Sequence, residues 1–258
     1  MITASRVNKT VRVTCLSCAF FLFLSAIAVV AQTPVKFDSS TISGLSARNI
    51  GSAKMSGRIA AVDAIYDQGR LTVFAASASG GVWKSINGGT TFKSVFDKPD
   101  VQSIGAVTID PSNPQIVWVG SGESWTRNSV SVGDGIYKST DGGENWTNVG
   151  LKDSEHIARI LVDPKDSNTV YACATGHLWN DNPERGVYKT SDGGKTWRKV
   201  LAGRNGSTGC GMLSMSPLEP NTIFASMWDF RRQGWTFRSG GPGSGLYKSS
   251  DEIGRAHV

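Results

Sequence analysis

The amino-acid sequence predicts an all-β chain: a β-propeller of four-stranded blades, incomplete, with about three and a half blades present. Three observations predict it. A short box recurs four times, with its Asn or Asp at positions 87, 141, 192 and 251, that is 54, 51 and 59 residues apart, and a period near fifty marks an array of supersecondary units. Between the boxes, alternating apolar runs flank Pro/Asn turns, the pattern of short half-buried strands. Beyond residue 31 no stretch of about twelve residues carries a helical apolar period.

Residues 1–31 read as a secretory signal. Arg6, Lys9 and Arg12 precede the apolar run Val13 to Ala31, which closes on small residues at Val29 and Ala31 before Gln32-Thr33-Pro34. The alternative is an uncleaved anchor, because the run is nearly long enough to span a bilayer. Leu16-Ser17-Cys18 falls before the apolar core, which argues against a lipid-attachment cysteine. A lead-in is expected over 32–56.

The blades follow at about 57–96, 103–149, 156–201 and 209–251. Each reads as strand, Pro/Asn turn, strand, loop, Gly-aromatic-Lys-Ser strand, Asp-Gly-Gly turn and a final strand at the box aromatic. The second blade shows the order clearly: Ile104 to Ile109, then Asp110-Pro111-Ser112-Asn113-Pro114, then Ile116 to Val119, then Gly135-Ile136-Tyr137-Lys138-Ser139. Four short antiparallel strands per repeat make a propeller blade.

Composition narrows the function classes. The chain carries 27 Lys and Arg against 21 Asp and Glu. Residues 1–31 contain three basic residues and no acid, so the remainder has 24 − 21 = +3, too little for a phosphate-binding face; no nucleic-acid partner is expected. His156 and His177 are too few for a metal centre, and no metal or cofactor is expected. Cys173 and Cys210 form one disulfide in an oxidising compartment or remain two buried small hydrophobes; spacing leaves both open.

In Ser-x-Asp-Gly-Gly-x-Thr-Trp the carboxylate can accept backbone N–H bonds across a tight turn, the glycines supply φ > 0, and the Trp packs on the blade. Asn87, Asp141, Asp192 and Asp251 are therefore structural residues rather than catalytic or calcium-binding ones. Asn87 accepts the same bonds without the charge.

The copies at 139–146 and 190–197 resemble the Asp box, or bacterial neuraminidase repeat, of sialidases, sortilin-type receptors and xyloglucanase-like propellers. With Gly80-Gly81-Val82-Trp83-Lys84-Ser85 and Gly245-Leu246-Tyr247-Lys248-Ser249, the pattern is similar to large secreted bacterial proteins grouped as sortilin-N-terminal-like or glycosyl-hydrolase-like. The resemblance covers about residues 57 to 251 and implies the fold far more specifically than the function. The Arg-Ile-Pro of sialidases has no match, the nearest string being Gly57-Arg58-Ile59-Ala60. Ala78 stands where the resemblance to xyloglucanases implies a catalytic Asp, so no catalytic residue is assigned; inverting hydrolysis needs two carboxylates. Glu123, Asp181 or a carboxylate outside this chain would have to serve.

In a propeller the box turns fall on one face and the loops between second and third strands on the other, the usual ligand face. From the second blade on, those loops lengthen and carry tryptophan: Glu123 to Asn128 with Trp125, His177 to Asp181 with Trp179, and Trp228 to Trp235 with Arg231. Aromatic platforms beside charged groups suit a sugar or peptide. Trp125, Trp179, Trp228, Trp235, Glu123, Arg127, Asp181 and Arg231 are thus the candidate ligand-binding residues, with Trp125 and Trp235 expected exposed and Trp179 and Trp228 either exposed or plugging blades. Arg58 and Arg159, early on first strands, are candidates to line an electropositive channel for a carboxylate; His156 opens an inner strand near the axis, either facing that channel or, the favoured reading, as a polar residue with its bonds satisfied.

Three functions are compatible with this pattern: a secreted propeller binding polysaccharide or peptide, a xyloglucanase-like glycoside hydrolase, or a structural interaction module. An open array would expose an edge, and the remaining blades are expected from a longer native chain. Residues 252–258 can be encoded by codons that spell, after their first base, the opening of a common short-read sequencing adapter, and are expected to be an artefact. Membrane contact is expected only through the signal segment if uncleaved.

Overall fold

The structure, a computed structural model, describes residues 58–216 and 218–250. The signal, the lead-in, Asp251 and the adapter-like tail lie outside the described residues. Among those described, no helix is long and apolar enough to cross a membrane.

The chain forms four four-stranded antiparallel sheets. The first contains β1 (Ile59–Asp67), β2 (Arg70–Ser77), β3 (Val82–Ser85) and β4 (Lys93–Ser94), and the second β5 (Ile104–Ile109), β6 (Val117–Ser121), β7 (Ile136–Ser139) and β8 (Thr147–Asn148). The third contains β9 (Ile157–Asp163), β10 (Asp166–Ala174), β11 (Gly186–Thr190) and β12 (Arg198–Ala202). All three pair in sequence order, and each first strand lies against the first strand of the next sheet. This is a run of propeller blades about an axis.

The fourth sheet departs from the expected pattern. Its strands are β13 (Thr208–Met215), β14 (Ile223–Gln233), β15 (Thr236–Ser239) and β16 (Gly245–Ser249). β16 pairs with the first half of β14, taking the place of a third blade strand, while β15 pairs with its second half. The segment read as a Trp-rich loop is therefore a hairpin turning at Gly234-Trp235. Trp228 stacks on Phe230 with centroids 4.6 Å apart and meets Phe237 edge-on at 5.8 Å. This aromatic cluster gives the strand extension a packed face that period alone does not reveal.

The core lies between blades. Phe74, Val107 and Val117 belong to the cluster joining the first and second blades, Trp118, Ile157 and Ala172 to the next, and Tyr171, Cys210 and Met227 to the third. Each buried Val, Ile, Phe or Met among them contributes about 1.5–3 kcal/mol.

Two cross-blade bonds recur. Lys84 Nζ donates to the Gly142 carbonyl at 2.7 Å, and Lys138 Nζ to that of Gly193 at 3.0 Å. Trp146 Nε1 donates back to Val95 O at 2.7 Å, and Trp197 Nε1 to Val149 O at 2.8 Å. Each lysine also lies over an aromatic ring of its own blade, Phe74 or Trp118.

The box turns carry the expected bonds. Ser139 Oγ donates to Asp141 Oδ1 and accepts from Gly143 N–H, both at 2.8 Å, while the N–H groups of Glu144 and Asn145 donate to Asp141 Oδ1 at 3.0 and 2.9 Å. Gly142 and Gly143 take φ of 69° and 94°, values that penalise any Cβ. These bonds hold the Asp141 carboxyl down at about 2, those from Asn145 contributing most. In the next box Thr196 Oγ1 donates to Asp192 Oδ2; in the first, the polarity reverses and Asn87 Nδ2 donates to Thr91 Oγ1 at 2.9 Å.

Cys173 of β10 and Cys210 of β13 are joined by a disulfide across the third interface, 37 residues apart in sequence. Closing a loop of that length stabilises a fold by about 2–4 kcal/mol. Reductant should lower the melting temperature of the native chain and leave a Cys173→Ala/Cys210→Ala variant unmoved.

A threonine hydroxyl can reverse its bond, so Asp192→Asn should melt near the native temperature at neutral pH and Asp192→Ala well below it. The Asp141 carboxyl lies below its ordinary value of 3.8 in the folded state. Its contribution is thus full above about pH 4 and lost as pH falls through about 2. Acid titration of the native chain against Asp141→Asn, followed by circular dichroism, should show that extra loss only in the native chain.

Candidate functional site

The site starts from one backbone irregularity repeated four times. Opposite the end of each second strand, the first strand carries a β-bulge, at Ala60, Gly105, Ala158 and Gly211. A bulge re-aims the residue beside it. The bulged residues and their successors Ala61, Ala106, Arg159 and Met212 all line one cleft along the axis, with a volume of roughly 630 Å³. Gly105 is required there, since a Cβ would stand 2.2 Å from Ile157 O.

Over this floor the second-blade loop and β14 converge. Trp125, 67% exposed, lines the cleft with Arg127, and Trp228 lines it from the opposite blade. Trp228 is half-buried, held by Phe230 and by an Nε1 bond to Ser239 Oγ at 3.2 Å. Trp235, 82% exposed, stands at the hairpin tip and Trp179 is exposed on the third-blade loop; neither is among the cleft-lining residues. The hairpin reaches across to the second-blade loop, where Arg232 Nε donates to Asn128 Oδ1 at 2.5 Å and Asn128 Nδ2 to Gly234 O at 3.4 Å.

The charged candidates are mostly occupied with one another. Glu123 is 2% exposed, bonded by Arg58 on one oxygen and by Arg127 at 3.3 Å on the other, with its N–H on Ser103 Oγ. It fastens the loop to the first blade instead of standing free on a rim. Asp181 and Arg231 pair with each other, tying the third-blade loop to the hairpin. Arg58 and Arg159 also part company: Arg58 serves Glu123, whereas Arg159 lies in the cleft with no hydrogen bond or ion pair to the described residues.

His156, read as a satisfied polar residue near the channel, is buried. Its Nδ1 lies 2.9 Å from the Gly176 carbonyl, and burial depresses its pKa to about 4, leaving a neutral ring at neutral pH. Among the described residues no cluster of three or more metal-ligating side chains occurs.

Two supporting residues escaped the sequence reading. Arg185 is buried, donates to the carbonyls of Thr175, Ser207, His177 and Asn180, and lies 4.4 Å from the Phe230 ring centroid. Burial lowers its pKa to about 10. Asp229, also buried, accepts bonds from Ser207 at 2.7 Å, Arg238 at 2.9 Å, Asn205 at 3.0 Å and Gly243 N–H at 3.2 Å. Burial alone would raise its carboxyl, but those bonds hold it well below the usual range. The only sequence signal was an acid inside an apolar strand.

A family model described as sortilin, neurotensin receptor 3, matches residues 80–226 and 134–256. The chain belongs to the Sortilin-Vps10 family. Among its relatives, a xyloglucanase of a Paenibacillus species is 24% identical over 204 residues, covering 70% of this chain and 18% of that protein. A xyloglucanase of Hypocrea jecorina is 24% identical over 205 residues, covering 70% and 23%. The chain thus spans about a fifth of the length of these curated relatives. Among solved structures, a GH74 enzyme of Niastella koreensis superimposes with a TM-score of 0.53 at 25% identity, over 72% of this chain and 27% of that one. The GH74 xyloglucanase of Xanthomonas campestris gives 0.55 at 18% identity, over 80% and 31%, a likeness of fold.

Removing Arg58 would strand a buried carboxylate on one remaining partner, whereas Glu123→Gln leaves two arginines within reach of water. Arg58→Ala should therefore lower the urea midpoint more than Glu123→Gln does.

Proposed function

We propose that this chain is the ligand-binding part of a secreted Sortilin-Vps10 propeller whose axial cleft holds a polysaccharide chain, with Trp125 and Trp228 as stacking platforms. The observation that carries the reading is the cleft itself: two tryptophans from different blades facing one groove whose volume suits a small ligand. Stacked aromatics contribute about 0.5–1.5 kcal/mol each beyond the area they cover. The signal-like segment supports a location outside the cytoplasm, and the names of the xyloglucanase relatives support a glycan ligand. Hydrolysis by this chain is the weaker reading, because among the described residues the cleft lining holds no Asp or Glu and Ala78 occupies the position the xyloglucanase resemblance reserves for an acid.

Affinity electrophoresis of the full chain through gels containing xyloglucan, a neutral β-glucan or polygalacturonate tests this. At least one polymer should retard the native chain, and Trp125→Ala should abolish most of that retardation with its melting temperature unchanged. Free migration in every gel would remove the glycan reading.

A further inference from the structure

Which glycan the cleft takes follows from the charges along it. Resting on the glycan-binding reading above, we infer that the ligand is an anionic polysaccharide whose uronic-acid carboxylates are met by Arg159 and Arg127.

Arg159 is not demanded by the fold. Its counterparts beside the other three bulges are Ala61, Ala106 and Met212, so the position packs equally well with no charge at all. The guanidinium forms no hydrogen bond or ion pair with the described residues. Arg127 shares Glu123 with Arg58, so that one carboxylate faces two arginines. Arg232, bonded to Asn128 on the same loop, adds a further cation with no carboxylate bonded to it among the described residues. Among the described residues the cleft is lined by small apolar residues, Ser124, Thr126, Met212, two tryptophans and the two arginines, with no acid in its walls and thus excess positive charge.

Low-dielectric walls focus such a field on whatever enters. A neutral sugar entering there would strip water from Arg159 and return no counter-charge, a penalty that discriminates against it. A carboxylate restores the balance, and its two oxygens match the planar guanidinium fork. Aromatic stacking needs only the apolar face of the sugar ring and is compatible with a carboxylate at its edge.

The experiment is calorimetric titration of the full chain with trigalacturonic acid, its methyl ester and cellotriose. Trigalacturonic acid should bind at least about tenfold more tightly than the other two, with a preference that shrinks as salt is added. Arg159→Gln should erase the preference at unchanged melting temperature, and Arg159→Lys should keep part of it. Equal binding of the three sugars, or a preference surviving in Arg159→Gln, would overturn this inference and leave the glycan reading standing wherever Trp125→Ala still abolishes binding. If none of the three sugars binds, this inference falls, and the glycan reading falls with it where the native chain also migrates freely in every polysaccharide gel; binding of a hexaglutamate peptide instead would reassign the arginines to peptide carboxylates.

Discussion

The structure depends on the joint between consecutive blades. The second and third box turns each present a glycine carbonyl to a lysine of the preceding blade, and their tryptophans return a bond from the indole N–H to that blade's backbone, as Lys84 and Trp146 do between the first and second. The second box glycine lies flat on an aromatic ring, Gly143 on Phe74 and Gly194 on Trp118, where a Cβ would come within 3.1 and 3.0 Å. Asp141 and Asp192 tie their turns into the shape that offers all three contacts. A side chain with no ligand to bind is thus what brings the blades, and hence the axial cleft, into register.

Because each blade meets mainly its neighbours, the cohesion of the array grows one interface at a time. The covalent link falls at the third interface, between β10 and β13. There the fourth blade also departs from the repeat to build its hairpin, and the buried Asp229 and Arg185 organise that departure from within. Glu123 does related work farther back, fixing the loop of Trp125 to the first blade through Arg58.

Much of this was legible in the sequence. The period of the boxes, the glycines with their positive φ, and the ligand-face loops bearing Trp125 and Trp179 could all be read locally, because each rests on residues a few positions apart. What stayed hidden depends on long-range pairing. Glu123 reads as an accessible acid until Arg58, 65 positions earlier, closes on it. Residues 228–235 read as a loop because the cluster that makes them a hairpin includes Phe237 beyond the turn. The bulges could not be read, since one unpaired residue leaves the alternation on either side almost intact, yet they separate Arg58 from Arg159 in role. The cysteine pairing waited on knowing which strands face each other.

The repeated bulge divides the labour of the inner strands. Away from it, residues such as Val107, Ile160 and Leu213 pack between blades; beside it, four positions line the axial cleft and hold Ala61, Ala106, Arg159 and Met212, of which Ala61 and Ala106 also touch the inter-blade cores. The four side chains range in size and charge although the backbone irregularity beside each is the same. The side chain beside the axis therefore varies among the blades, from a methyl group to a guanidinium, while the strand pairing that carries it stays the same.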